Sequence, residues 1–254
     1  MFKLLVTSTI SGGDFSRMAL FCVLVMTAMG GLARLAASAL RLDRPRTTAL
    51  VLVVMFSNGG NYALPVVLFA FGPDALAFAA VYFVVSSIVT YTAGVFIAAS
   101  GRRSVSDALR NVTHVPTVYA VIAAVIVLWL HVTLPDVVMR PVTLLSDAAL
   151  PLMILVLGLQ LERAEWPERF GVVAAAVALS LVVTPALGWL VATLLGLNGA
   201  AFQAAVIQAS MPAAVITTIL ALQYEVDPAF VTSVVVVSTL LSPFTLTWII
   251  AAIK

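Results

Sequence analysis

Residues 57–65 read SNGGNYALP and lie near the middle of an apolar run, 47–71, that is long enough to cross a lipid bilayer. Glycine and proline weaken a helix, and an asparagine side chain is costly in hydrocarbon. Irregular backbone at membrane depth is tolerated only where it is buried in protein or lines a wet cavity. The stretch therefore predicts a broken helix that is enclosed by other helices.

The composition of the chain indicates an integral membrane protein in contact with the lipid bilayer. Of its 254 residues, 63% are hydrophobic and 9% are charged, whereas a soluble domain carries about 25% charged residues. A formal net charge of +2 gives no reason to expect a nucleic-acid partner. Cys22 is the single cysteine, and there is no HExxH or CxxC motif, so the sequence predicts no metal site, no cofactor and no disulfide.

Eight apolar runs are long enough, or nearly so, to span the bilayer, and the short loops between them indicate one membrane domain over residues 1–254. The predicted spans are 17–40, 47–71, 75–99, 115–131, 142–161, 171–195, 200–222 and 229–252. Residues 1–16 are interpreted as the remnant of a preceding helix.

Basic residues in the loops predict the orientation of these spans. Loops 41–46, 100–114 and 162–170, together with Arg34, hold nine arginines, whereas Arg17, Arg140 and Lys254 are the basic residues of the alternate positions. The excess of positive charge is expected in the cytoplasm. The C-terminus is then predicted to lie outside, with the chain in a plasma membrane of bacterial inner-membrane type.

A second stretch, QASMP at residues 208–212, repeats the spacing of NYALP at 61–65. A proline has no N–H for the carbonyl four residues earlier, which here belongs to Asn61 or Gln208. The chain is expected to run outward through 47–71 and inward through 200–222, so the two units have opposite orientation. A single intramembrane proline is more often a plain kink, but two matched breaks in opposite orientations are typical of an inverted-repeat transporter.

Four ordered blocks of this sequence resemble the auxin efflux carrier family, which includes the plant PIN-type carriers. The blocks are 41–72, 145–163 (LSDAALPLMILVLGLQLER), 206–228 (VIQASMPAAVITTILALQYEVDP) and the closing apolar span. The resemblance implies ten helices in two inverted five-helix repeats, with the two broken helices crossing. Residues 17–99 would be the end of the first repeat and residues 115–254 the second repeat, so that about eight of the ten helices are present here.

The resemblance also implies transport of small organic anions by alternating access, with the substrate bound at the midplane crossover of spans 47–71 and 200–222. The predicted substrate-binding residues are Asn58, Asn61, Gln208, Ser210 and Met211. The predicted helix-break residues are Gly59, Gly60, Pro65 and Pro212. A homodimer built on scaffold helices is a further implication of the resemblance.

Three alternatives stand beside the anion carrier. A sodium-coupled symporter would use the carbonyls of the unwound segments as ligands, although no acidic side chain lies near the breaks in the sequence. A chain without its scaffold helices would be a non-transporting remnant. An intramembrane enzyme would need a metal cluster or an activated nucleophile within a span, and no such pattern is present in the sequence.

Overall fold

The computed structural model describes residues 2–6, 10–99, 116–130, 134–162 and 170–254. Within these ranges the chain forms helices, joined by turns, by π-helical segments at Thr90–Gly94 and Leu179–Val183, and by two irregular breaks. The helices, in chain order, are α1 Phe2–Val6, α2 Gly12–Ala39, α3 Arg44–Met55, α4 Ala63–Val89, α5 Val95–Ala98, α6 Pro116–Trp129, α7 Asp136–Glu162, α8 Phe170–Ala178, α9 Thr184–Leu194, α10 Gly199–Ala209, α11 Ile216–Tyr224 and α12 Pro228–Ile253.

Five helical segments in the described ranges are long and apolar enough to cross a membrane. They are Gly12–Ala39, Ala63–Ala98, Asp136–Val156, Gly171–Leu194 and Pro228–Ile253. The predicted spans 47–71 and 200–222 are not single helices in this set, because a break divides each of them. The predicted span 115–131 is also absent from it, because the helix α6 has 14 residues. The prediction of an all-α polytopic membrane protein with two broken helices is confirmed.

Two predicted boundaries are wrong by several residues. The helix α2 begins at Gly12 and not at residue 17, because Ser11 caps its N-terminus by accepting a hydrogen bond from the Asp14 N–H at 3.1 Å. Residues 12–16 therefore belong to α2 and not to a remnant of an earlier helix. The helix α7 begins at Asp136, six residues before the predicted start at 142.

The arginine-rich loop 100–114 and residues 163–169 of the loop 162–170 lie outside the described residues.

The chain contains two similar units, one that begins with α3 and one that begins with α10. In the first, α3 is followed by a break, by a half-helix at 63–71 and by a long helix that begins at Pro73. In the second, α10 is followed by a break, by the half-helix α11 and by the long helix α12, which begins at Pro228. Proline suits the first turn of a helix, because its missing N–H has no partner there in any case.

A residue with positive φ turns the chain at the corner of each unit. Gly72 has φ +84° and ψ −172°, a region that only glycine adopts without strain, and it separates the half-helix 63–71 from the long helix. Asp227 has φ +41° and caps α12 by accepting a hydrogen bond from the Phe230 N–H at 3.3 Å. At each of these turns the chain reverses direction, so that the long helix packs beside the broken helix.

Small residues allow the central helices to approach closely. The helix α10 is buried from Ala204 to Ala209 and packs chiefly against α4 on one side and α9 on the other. Gly188 of α9 lies directly against Ala209, and a Cβ at position 188 would overlap that side chain. Close packing of small residues is the main source of helix association in lipid, where there is no hydrophobic driving force between helices.

Candidate functional site

The two breaks, residues 56–62 and 210–215, lie side by side and in opposite directions. Ser57 and Ala213 form an isolated antiparallel bridge. The Asn58 N–H donates to the Pro212 carbonyl at 2.8 Å, and the Ala214 N–H donates to the Phe56 carbonyl at 2.9 Å. Each unwound segment thus satisfies backbone groups of the other, which a lipid environment requires.

Gln208 lies behind this crossover and stabilises it by hydrogen bonds. Its side chain is fully buried, and Nε2 donates to the carbonyls of Gly59 at 3.1 Å and Ala79 at 3.0 Å. The Gln208 carbonyl is the one that Pro212 leaves without an N–H, and it accepts a hydrogen bond from Ser57 Oγ at 3.3 Å. The side chain and the carbonyl of one residue therefore both bind the opposite break.

The two prolines hold different positions relative to their breaks. Pro212 lies within the second break, three residues after the end of α10. Pro65 lies in the first turn of the half-helix that follows the first break, where a missing N–H breaks no helical hydrogen bond. The spacing of NYALP and QASMP predicts that Pro65 and Pro212 hold equivalent positions, and this prediction is wrong. The two breaks themselves correspond, but one proline follows its break and the other lies inside it. Gly59 and Gly60 lie within the first break.

A cavity of about 310 Å³ lies against the crossover. Its wall combines both breaks with α11 and one face of the long helix that begins at Pro73. The lining residues are Ser57, Asn58, Gly59, Gly60, Asn61, Phe83, Ser86, Ser87, Thr90, Tyr91, Ala214, Val215, Ile216 and Ile219. None of these residues is charged, so the polarity of the cavity depends on hydroxyl groups, amides and backbone dipoles.

The N-terminus of α11 meets this cavity, and the first half-helix begins two residues after Asn61, which lines the cavity. The first half-helix begins at Ala63 after Tyr62, and α11 begins at Ile216 after Val215; neither N-terminus has a side-chain cap. The first N–H groups of a helix have no partner within the helix, and the helix dipole gives that end a partial positive charge. The arrangement places the positive dipole end of α11 at an uncharged cavity. In the first half-helix, the N–H groups of Ala63 and Leu64 already donate to the carbonyls of Asn58 and Gly60.

Asn58 adds an unsatisfied donor beside the N-terminus of α11. Its side chain is 7% exposed, and its Nδ2 has no hydrogen-bond partner among the described residues. A buried amide donor without a partner costs about 1 to 3 kcal/mol. Such a group on a cavity wall points to a ligand or water that carries an acceptor atom.

A family model described as "Membrane transport protein" matches residues 2–250 of this chain. The chain belongs to that family. It is 26% identical over 245 residues to an uncharacterized transporter of Methanothermobacter thermautotrophicus, with 95% of this chain and 80% of the relative covered. An uncharacterized transporter of Methanocaldococcus jannaschii is 26% identical over 208 residues, which cover 80% of this chain and 67% of the relative.

The resemblance to auxin efflux carriers is also confirmed. Auxin efflux carrier component 3 of Arabidopsis thaliana is 28% identical over 147 residues, which cover 56% of this chain and 23% of that protein. The similarity to the plant protein therefore concerns a limited part of its length. The membrane transport protein family is a family of transporters and not a class of enzymes.

The structure of this family member brings some of the predicted site residues together and separates others. Asn58, Asn61, Gly59 and Gly60 line the cavity. Three predicted substrate-binding residues are fully buried and do not line it: Gln208, Ser210 and Met211. The Ser210 hydroxyl instead donates to the Val206 carbonyl of its own helix at 2.6 Å.

Three hydroxyl residues of the cavity wall were not predicted from the sequence. Ser86, Ser87 and Thr90 donate to carbonyls of their own helix at distances of 3.0, 2.7 and 2.7 Å. Since each hydroxyl proton is used in this way, the oxygen lone pairs are the groups left for the cavity. The cluster SSIVT at 86–90 was the available signal, but hydroxyls that bond their own helix are ordinary in membrane spans.

Proposed function

We propose that this chain is a carrier that binds a small organic anion in the crossover cavity and moves it across the membrane by alternating access. The observation that carries the proposal is Asn58, a residue of the cavity wall whose buried side-chain Nδ2 has no hydrogen-bond partner among the described residues. The N-terminus of α11 meets the same cavity, and helix N-termini favour anions. The side-chain amide of Asn61 lines the same wall.

Binding by dipoles and amides suits a carrier. A full positive charge in the cavity would hold a carboxylate tightly in a medium of low dielectric constant. The lining residues include no lysine or arginine, so the anion is held by partial charges and is released readily. The lining residues also include no Asp, Glu or His, the usual residues of a proton relay. We therefore expect transport to follow the gradient of the anion and the membrane potential.

Replacement of Asn58 by alanine tests the proposal. A hydrogen bond to a charged group is worth about 1.5 to 3 kcal/mol, so Asn58→Ala should weaken the apparent affinity for the transported anion about 10- to 100-fold. The measurement is uptake of a panel of radiolabelled mono- and dicarboxylates into proteoliposomes. Asn198→Ala is the matched control, because Asn198 is an exposed amide whose Nδ2 donates to the Gly196 carbonyl.

Uptake by Asn58→Ala equal to that of the wild type would overturn the assignment of the site. Uptake of no carboxylate by the wild-type chain, under conditions where it is folded, would favour a non-transporting remnant.

A sodium-coupled carrier is the second candidate, and one observation favours it. Gln208 Oε1 is a buried acceptor without a hydrogen-bond donor among the described residues, and it lies close behind Gly59 at the crossover. Sodium ions bind oxygen ligands of this kind at unwound helices. Replacing sodium by choline in the same uptake assay separates the two candidates: a sodium-coupled carrier loses uptake, and the proposed uniporter or exchanger does not.

A further inference from the structure

A second cavity, of about 770 Å³, lies between α2, α3 and α5, apart from the crossover cavity. Two arginines line it, Arg34 near the end of α2 and Arg44 at the start of α3. Thr27, Thr47 and Thr48 add hydroxyl groups to the wall, and its described lining residues include no acidic one. Two guanidinium groups on one cavity wall are complementary to a negatively charged group.

The depth of the cavity argues for a ligand with an apolar part. Its wall continues along α3 from Arg44 to Met55, and Phe96 of α5 also lines it. At a rise of 1.5 Å per residue, the distance from Arg44 to Met55 along the helix is about 17 Å, which is close to half of the roughly 30 Å hydrocarbon core. The cavity thus has a basic end where the helices begin and an apolar wall that extends through one leaflet.

Exposed apolar side chains show that the neighbouring surface faces lipid. Leu32 and Leu35 of α2, on either side of Arg34, are 36% and 67% exposed, and Phe96 is 39% exposed. We therefore expect Arg34 to lie at the boundary between lipid tails and headgroups, where a long basic side chain reaches toward the interface. The same end of the fold carries loop 41–46, whose arginines predict the cytoplasmic side, and anionic lipids concentrate in the cytoplasmic leaflet.

We propose that this cavity is a binding site for an anionic phospholipid, with the phosphate at Arg34 and Arg44 and one acyl chain along Val51, Met55 and Phe96. The charged end selects the lipid headgroup, and the apolar wall distinguishes a lipid from a soluble phosphate ester. Bound lipid holds α2 against α3, the helix that leads to the first break.

The test measures binding of short-chain lipids to the full chain purified in a neutral detergent, by native mass spectrometry and by the shift of the thermal denaturation midpoint. The probes are dioctanoyl phosphatidylglycerol, dioctanoyl phosphatidylcholine and glycerol phosphate. Each arginine near an anionic headgroup contributes about a fivefold increase in affinity, and two contribute about 30-fold. The double variant Arg34→Gln/Arg44→Gln should therefore bind phosphatidylglycerol about 30-fold more weakly than the wild type.

Arg17→Gln/Arg140→Gln is the matched control, because it removes the same charge from exposed positions outside the cavity. It should bind phosphatidylglycerol as the wild type does. Equal weakening by both double variants, or equal binding of the two lipids by the wild type, would overturn the proposal. Competition by glycerol phosphate as effective as that by the lipid would also overturn it, in favour of a soluble anion. If the double variant fails to fold, the single variant Arg34→Gln, at an exposed position, should still show the fivefold loss.

Discussion

At the scale of single residues, the side-chain amide of Gln208 holds the two breaks in register. Nε2 bridges the carbonyls of Gly59 and Ala79, which belong to the opposite break and to the long helix behind it. An ideal Cβ at Gly59 would lie 2.7 Å from Gln208 Oε1, so the amide and the backbone are in close contact. Gln208 does not line the cavity, and we expect it to act as a positioning residue for the cavity wall.

We expect Gln208→Ala to lower the free energy of unfolding by about 2 to 4 kcal/mol, because two buried carbonyls lose their donor and a void replaces the side chain. The measurement is the thermal denaturation midpoint of the purified chain. Gln223→Ala, at an exposed position of α11, should leave the midpoint unchanged. A stable Gln208→Ala variant with weakened anion uptake would contradict the positioning role and would restore direct contact with the substrate.

The sequence predicted Asn58 and Asn61 at the site because amides in the middle of an apolar run need an explanation. It could not separate Asn58, which faces the cavity, from Gln208, which lies behind it, because the difference depends on how one helix rotates against another. Ser86, Ser87 and Thr90 were missed for the same reason. Each bonds its own helix, so nothing local shows that they share a wall with a break about 30 residues earlier in the chain.

At the scale of elements, the first break is shaped by contact with the long helix that follows it. Gly60 packs on the ring of Phe83, and an ideal Cβ at position 60 would lie 2.5 Å from that ring. The two residues belong to the broken helix and to the helix beside it, and both line the cavity. The position of the break therefore depends on the absence of a side chain at residue 60.

We expect Gly60→Ala to force the break away from Phe83, since an overpacked core costs about 1 to 3 kcal/mol. The variant should denature at a lower temperature and lose anion uptake. Phe83→Leu in the same chain removes the ring and should restore part of the stability, which a double-mutant cycle would show as a coupling between the two sites. Gly171→Ala is the control, because a Cβ there meets no atom within 4 Å. Additive effects of Gly60→Ala and Phe83→Leu would contradict the proposed contact.

The proline spacing predicted both broken helices but not their correspondence. Proline acts on the carbonyl four residues before it only inside a helix. Pro212 lies inside a break and frees a carbonyl that Ser57 then binds, whereas Pro65 begins a new helix and frees none. The spacing alone does not show on which side of a break a proline lies, so the two motifs aligned in sequence while their positions in the structure differ.

At the scale of the whole molecule, an ion pair joins the two halves of the chain at one end of the fold. Arg46 Nε lies 2.9 Å from Asp227 Oδ2, and their side chains are 30% and 22% exposed. Arg46 follows the arginine-rich turn before α3, and Asp227 caps α12. The loop 223–228 holds no basic residue, so the distribution of positive charge does not place it. The contact with Arg46 places it at the same end as loop 41–46 and supports the alternation of the predicted spans.

Labelling of introduced cysteines in intact cells and in inverted vesicles would test the inverted orientation of the two units. Arg41→Cys and Glu225→Cys should react with a membrane-impermeant maleimide only in inverted vesicles, because both loops are expected in the cytoplasm. Asn198→Cys should react only in intact cells, because α10 is expected to begin on the outer side. The parent chain carries Cys22→Ala, which removes a fully buried thiol, and should stay unlabelled. Reaction of Arg41→Cys and Glu225→Cys on opposite sides would contradict both the ion pair and the inverted repeat, whereas the same pattern with the two sides exchanged would contradict only the orientation that the arginines predict.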